Sequence, residues 1–345
     1  MAWVLVCNFC CIFRKIIANT LLPMPHQPIK VGSAFEGWSP LEKDIIYRVF
    51  VPLLPPPWHC FKTEPCIARE TPARNFQVRV DLECGCITSY SQSKGLCFLH
   101  HFRELRKNHV PNILDTLCTN FYLDVNKTAQ WFHLLVTSAW KFFPLSSRCC
   151  LTMLPSSRSC KFCITGDSKS ITIEMMFGVQ QHSSDIFVSN ESPEGIFMRN
   201  TIWSESYAVA EAKFFRELGS QAPHGSFHLE CLRVCARILV GTGFSTYTLK
   251  TVVMHLLTTI PLKDWRERDF LLRLRDIMQY LRVCLEEKRL YHFFFGNKKV
   301  PKGLDLPLDL QEAEAVNLFY YLVGNPDAHA KALREFMQLR YWLTR

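Results

Sequence analysis

The spacing of apolar residues changes at Glu191–Asn200, and that change limits what this 345-residue sequence can fold into. Before it, short apolar runs suit strands: Ile45–Leu54, which leaves through Pro55-Pro56-Pro57, then Cys150–Leu154, Cys160–Thr165, Ser170–Val179 and Asp185–Ser189. Phe76–Ile87 alternates, with Phe76, Val78, Val80 and Leu82 on one face and Gln77, Arg79, Asp81 and Glu83 on the other. Its acids therefore face solvent. Gly166-Asp167 predicts a hairpin whose second arm carries Glu174. Leu96–Asn108 and Asn112–Cys118 read as short helices, and Asp124 caps a longer one through Phe143. After the break almost everything has helical spacing. Helices run from Ser204 to Leu218, over Phe227–Val240, from Ser245 to Ile260, from Asp264 toward Leu290 and from Asn325-Pro326 to Trp342. The pattern predicts an α+β chain with an apolar segment over 1–28, a strand-rich lobe over 29–200 and an all-helical lobe over 201–345.

Hydrophobic content of 48% and aromatic content of 13% exclude general disorder. The net charge of +9 points to anionic partners, yet Lys263–Arg289 interleaves both signs as a solvated helix surface does. The 16 cysteines form no regular disulfide ladder, and a chain of this size folds without staples, so buried reduced thiols are expected. Met1–Phe13 carries no charge and is followed by Arg14-Lys15. That run is shorter than the roughly twenty residues a helical span needs. It lacks a signal peptide's basic start and cleavage site. It reads as a membrane-directing stub, with Cys7, Cys10 and Cys11 open to acylation. No later apolar run spans a bilayer either.

The chemistry-bearing candidates begin at Gly32-Ser33, a turn that leaves backbone amides free to approach a phosphate. Glu42 and Asp44, two apart before the Ile45 strand, point to one face and could hold Mg²⁺. Glu174 is a lone acid in an apolar strand, and a shared metal would give it a partner. The three acids sketch a nucleotidyltransferase site; the alternative is that Glu42 and Asp44 flank a loop and Glu174 faces solvent at an edge. Cys84, Cys86, Cys97, His100 and His101 have zinc chemistry without the usual paired spacing. Cys160 and Cys163 have redox spacing, but on a strand they point to opposite faces. His255 lies on an apolar helix face and suits packing. No nucleophile elbow or Walker loop occurs.

Longer runs carry a resemblance. Val31-Gly-Ser-Ala-Phe-Glu-Gly-Trp38, Leu114-Asp-Thr-Leu-Cys118, Tyr122-Leu-Asp-Val125, Ile173-Glu-Met-Met-Phe-Gly-Val-Gln-Gln181, Ala208-Val-Ala-Glu-Ala-Lys-Phe-Phe215 and Leu239-Val-Gly-Thr-Gly-Phe-Ser-Thr-Tyr-Thr-Leu-Lys-Thr251 appear in order. Over about 28–345 they resemble the inositol trisphosphate receptor-interacting protein family, part of the Mab-21 group that shares its fold with cyclic GMP-AMP synthase. The resemblance implies a nucleotidyltransferase-like mixed-sheet lobe packed against a helical lobe, with any nucleotide between them. It aligns Gly32 and Ser33 with the phosphate turn, and Glu42, Asp44 and Glu174 with the metal acids. It aligns Thr246-Tyr247 with a Ser-Tyr pair that contacts phosphate and stacks the base. Lys250 and Arg237 become phosphate candidates.

Departures matter as much. The acids sit closer to the turn than in the synthase. Glu174 replaces Asp, and the extra methylene displaces its carboxylate by about 1.5 Å, a poor match to the tight Mg²⁺ shell. Nothing between Glu230 and Thr246 corresponds to the synthase's zinc ribbon, so DNA binding is not expected. Family members usually carry a membrane segment and stalk before this region, here reduced to some thirty residues, which reads as a shortened form. The expectation is a non-catalytic, membrane-associated signalling protein, attached through its N-terminus with sidedness open. It would modulate a membrane or receptor partner, the family implying the inositol trisphosphate receptor and calcium release, with a nucleotide or inositol phosphate as the candidate ligand of its site. The rival expectations are a cell-surface ligand for a receptor on another cell and a Mg²⁺-dependent nucleotidyltransferase.

Overall fold

A computed structural model of the protein describes residues 1–40, 45–66, 74–83, 112–166, 169–191, 198–222, 226–238 and 244–343. The chain forms two compact units. One comprises Met1–Val31 and Ile46–Val209; the other comprises Gly32–Ile45 and Ala210–Arg345.

The first unit is built on a mixed sheet. Its central strand β10 (Ser170–Gln180) runs parallel to β3 (Ile46–Leu54), with Glu174 opposite Arg48 and Met176 opposite Phe50. These two strands carry the longest apolar runs, as strands covered on both faces must. β9 (Cys160–Thr165) pairs antiparallel with β10 as the expected hairpin, and β8 (Cys150–Leu154) extends it. Farther along the same edge of β10, opposite β3, follow β11 (Phe187–Ser189), β12 (Ile202–Ser206) and β5 (Asn75–Leu82), itself paired with β4 (His59–Pro65). Short strands β1 (Met24–Pro25) and β2 (Ile29–Val31) border β3. The hairpin of β6 (Cys118–Thr119) and β7 (Tyr122–Leu123) continues from β5.

Asp124 caps helix α4 (Val125–Trp140), accepting from the Lys127 amide at 3.0 Å. The stripe Ala129, Phe132, Leu135, Val136 and Ala139 is buried, and Phe132 stacks on Phe177 of β10 at 4.9 Å. Asn112 likewise caps α3 (Ile113–Leu117). The helix expected from Ser204 to Leu218 begins instead at Ala208, because Ile202–Ser206 form β12. Trp203 is fully buried and its indole donates to the Leu123 carbonyl, so pairing outweighs the capping propensity of Ser204. Helix α5 (Ala208–Gln221) starts two residues after Ser206, whose hydroxyl accepts from the Ala208 amide.

The apolar N-terminus is helix α1 (Ala2–Ile17). Leu5, Val6, Phe9, Cys10, Phe13 and Ile17 are buried. Phe9 lies 4.4 Å from Phe143 and 5.6 Å from Phe162, and Phe13 meets Phe132 edge-on. The opposite stripe of Met1, Val4, Asn8, Cys11 and Lys15 is exposed. No helix among the described residues is long and apolar enough to cross a membrane. Thirteen described cysteines are free.

A polar knot closes the sheet. Asn190, 2% exposed, accepts from the Phe177 amide at 2.8 Å and donates through Nδ2 to the Arg158 carbonyl at 2.7 Å. Arg158 returns Nε to the Asn190 carbonyl and Nη2 to that of Ile202.

From Ala210 the second unit is helical. After α5 come α6 (His228–Ile238), α7 (Thr246–Leu257), α8 (Phe270–Glu286), α9 (Leu308–Gln311), α10 (Tyr320–Val323) and α11 (Pro326–Leu343). The long helix expected from Asp264 is broken by short turns over 262–264 and 267–269 before α8 begins. The unit boundary falls at Val209, and the unit recruits Gly32–Ile45 from far upstream.

Candidate functional site

Two glycines in left-handed conformation shape the upstream strap of the second unit. Gly32 (φ 78°) precedes and Gly37 (φ 86°) ends α2 (Ser33–Glu36), turns that side-chain-bearing residues adopt only with strain. Inside this turn the Phe35 and Glu36 amides bond the Gly32 carbonyl, and those of Gly37 and Trp38 bond the Ser33 carbonyl. These four amides are spent on the turn itself.

What the turn delivers is a buried carboxylate. Glu36 receives the Trp38 indole N–H at 2.6 Å and the Lys250 ammonium at 2.9 Å. Lys250, on α7, also bonds Glu211 of α5 at 2.5 Å. All three residues are more than nine-tenths buried, and the Trp38 and Phe215 rings lie 5.7 and 5.4 Å from the ammonium. Burial pulls the Lys250 ammonium toward neutrality, but Glu211 and Glu36 outweigh it and raise its pKa. Two carboxylates on one ammonium leave the cluster formally one charge negative. The residue expected to meet phosphate is thus surrounded by acids.

The other expected residues are placed as follows. Arg237, exposed near the end of α6, reaches the Pro40 carbonyl at 3.4 Å, and Arg233 one turn earlier bonds the Gly37 carbonyl. Thr246 is exposed at the start of α7, where Ser245 caps the Thr248 amide. Tyr247 is half-buried, with its hydroxyl 2.7 Å from Nε2 of His292. Nδ1 of His292 accepts from the Phe294 amide, so the ring proton sits on Nε2 and is donated to Tyr247. Burial, aided by His255, pushes the His292 imidazole down to about 3, keeping it neutral. His255 itself packs, its Nε2 on the Tyr291 carbonyl.

Glu174 belongs to the first unit. Its carboxylate takes Arg48 at 3.0 Å and the Ser159 hydroxyl at 2.9 Å, so protein groups already answer its charge. Glu42 and Asp44 lie outside the described residues, as do Cys84, Cys86, Cys97, His100 and His101. Among the described residues no three His, Cys, Asp or Glu side chains gather as metal ligands. Gly32, Ser33, Lys250 and Arg237 are gathered around one strap. Glu36, Trp38, Glu211 and His292 were not singled out by the sequence. Their signal is present in part: Glu211 and Lys250 each stand on the apolar stripe of a helix.

The comparisons with known proteins follow the same outline. Residues 231–307 match the model of the Mab-21 protein HhH/H2TH-like domain. Inositol 1,4,5-trisphosphate receptor-interacting protein-like 1 of Rattus norvegicus is 33% identical over 332 residues, and that of Mus musculus 34%. Each alignment covers 92% of this chain and 60% of the relative. Inositol 1,4,5-trisphosphate receptor-interacting protein of Homo sapiens is 30% identical over 338 residues, covering 90% of this chain and 61% of the relative. The chain spans about three fifths of the length of these relatives. With its α+β fold and its Mab-21 domain, the chain is similar over nine tenths of its own length to inositol 1,4,5-trisphosphate receptor-interacting proteins.

Proposed function

We propose that this chain is a non-catalytic signalling module that works at a membrane by engaging a receptor, the inositol 1,4,5-trisphosphate receptor that names its relatives being the first partner to test. The observation that carries the reading is the commitment of Lys250 to Glu36 and Glu211. A cation locked between two carboxylates no longer attracts phosphate, and the net negative charge around it repels one. The pairing of Glu174 with Arg48 and Ser159 supports the same view, since two-metal phosphoryl transfer needs its acids open to metal.

The exposed stripe of α1 supports membrane attachment. It presents Val4 and Cys11 beside Lys15, an apolar contact, an acylation site and a basic group on one face.

Two assays on the purified chain test the reading. Incubation with Mg²⁺ or Mn²⁺ and labelled ATP or GTP should give no oligonucleotide or cyclic product. Pull-down with detergent-solubilised inositol trisphosphate receptor should retain the chain. A product lost on Asp44→Asn would promote the nucleotidyltransferase alternative, and absence of retention would remove this receptor as partner.

A further inference from the structure

Among the described residues, three ring or guanidinium nitrogens of the helical unit are buried without a hydrogen-bond partner: Nε2 of His228, Nε1 of Trp265 and Nε of Arg273. Their residues are 3%, 0% and 8% exposed. They come from one corner of the unit. The Phe227 amide donates to the Trp265 carbonyl at 2.7 Å and Ser226 bridges Arg266, which sets the first turn of α6 beside Trp265. Arg273, in the first turns of α8, holds its guanidinium carbon 6.0 Å from the centre of the Trp265 ring.

A buried polar group left unmatched costs about 1–3 kcal/mol, so three in one corner call for a common partner. Trp265 Nε1 and Arg273 Nε are donors only, which makes that partner an acceptor. Arg273 already has its charge answered by Asp276, Nη2 to Oδ2 at 2.9 Å, so the corner offers no surplus charge to an anion. His228 shares a 2.7 Å hydrogen bond between Nδ1 and the Ser226 hydroxyl. Burial pushes its imidazole toward the neutral form, which has one nitrogen free to accept.

We infer that His228, Trp265 and Arg273 form a binding site for one internal water molecule. The water accepts from Trp265 and Arg273 and donates to Nε2 of His228, three bonds being the usual number for a buried water. The arrangement fixes the histidine tautomer, with Nδ1–H donating to Ser226. It joins the start of α6 to the start of α8, with Trp265 and Arg273 inside the segment that matches the Mab-21 domain and His228 just before it.

Crystals of the full chain, grown with and without sodium bromide and diffracting well enough to place waters, test this. The expected result is one water-sized peak within hydrogen-bond reach of the three nitrogens, no anomalous bromide signal there, and loss of the peak in Trp265→Phe. In solution, the Trp265 indole proton should cross-relax with a long-lived water. A bromide peak in this corner would overturn the inference in favour of an anion site. Density showing the three nitrogens paired with protein acceptors would overturn it outright. Should Trp265→Phe fail to fold, the unaltered chain decides through its density and its indole signal.

Discussion

Replacing Lys250 by Met should be among the most damaging single changes in the helical unit, and the damage should depend on pH with a definite sign. The side chain is nearly isosteric, so packing against Trp38 and Phe215 is largely kept. What goes is the cation between Glu36 and Glu211. Removing one member of a buried ion cluster costs about 3–5 kcal/mol, because the remaining charges stay desolvated and now repel. That is a large share of the roughly 5–15 kcal/mol of a typical domain. Facing each other without a cation, the two carboxyls of the variant should take up a proton well above the ordinary glutamate value of about 4.3. The folded variant then binds more protons than the unfolded chain, so its stability rises as pH falls from neutral, by up to about 1.4 kcal/mol per unit for each extra proton. Native-state hydrogen exchange of the α7 amides reads this unit directly. The expectation is a loss of about 3–5 kcal/mol at neutral pH that shrinks toward pH 5. The triple variant Glu36→Gln, Lys250→Met, Glu211→Gln, without the buried charge, should recover much of it. A loss below about 1 kcal/mol, or one indifferent to pH, would show that the acids have other partners or reach water, and the reasoning fails.

Other outcomes follow from the same geometry. Phe9→Ala removes a fully buried ring of α1 and should cost the first unit about 3–5 kcal/mol by denaturant melting, whereas Val4→Ala on the exposed stripe should be near neutral. The neutral, buried His292 makes folding uptake-free where the unfolded imidazole titrates. Stability present above its ordinary value of 6.5 should therefore fall by about 1.6 kcal/mol between pH 6.5 and pH 5, and His292→Gln should flatten that slope in a pH series of melts. Cys11→Ser should move the chain from membrane pellet to supernatant on cell fractionation, while Cys10→Ser, at a buried position, should leave any attachment intact. A chain that stays in the pellet with Cys11→Ser is attached by other means.

The parts of the fold legible in the sequence are those fixed by local spacing. β10, its hairpin with β9 and the Asp124 cap of α4 all stand where alternation and capping put them. β12 was not legible, because its pairing with β5 joins residues more than a hundred positions apart, and Ser204 read locally is a good helix cap. The Lys250 cluster was half legible. A lysine in an apolar run announces a constraint, but its acids lie 214 and 39 residues away, and nothing in the spacing says that the partner is a carboxylate rather than a phosphate. α1 shows the converse. Its buried positions 2, 5, 6, 9, 10, 13 and 17 repeat at helical period, yet the absence of charge hides that period from a reading by hydropathy alone.

Asn190 is followed by Glu191 and Ser192, which together spell an N-glycosylation acceptor sequence. The nitrogen that would carry the sugar is the Nδ2 that donates to the Arg158 carbonyl, in a side chain closed off from solvent. A glycan there would take the place of that donor and thrust a bulky polar group into the contact that ties Phe177, Arg158 and Ile202 together. Occupancy of this sequon and completion of the first unit are therefore mutually exclusive. A glycosylated Asn190 would mark a molecule whose sheet never closed.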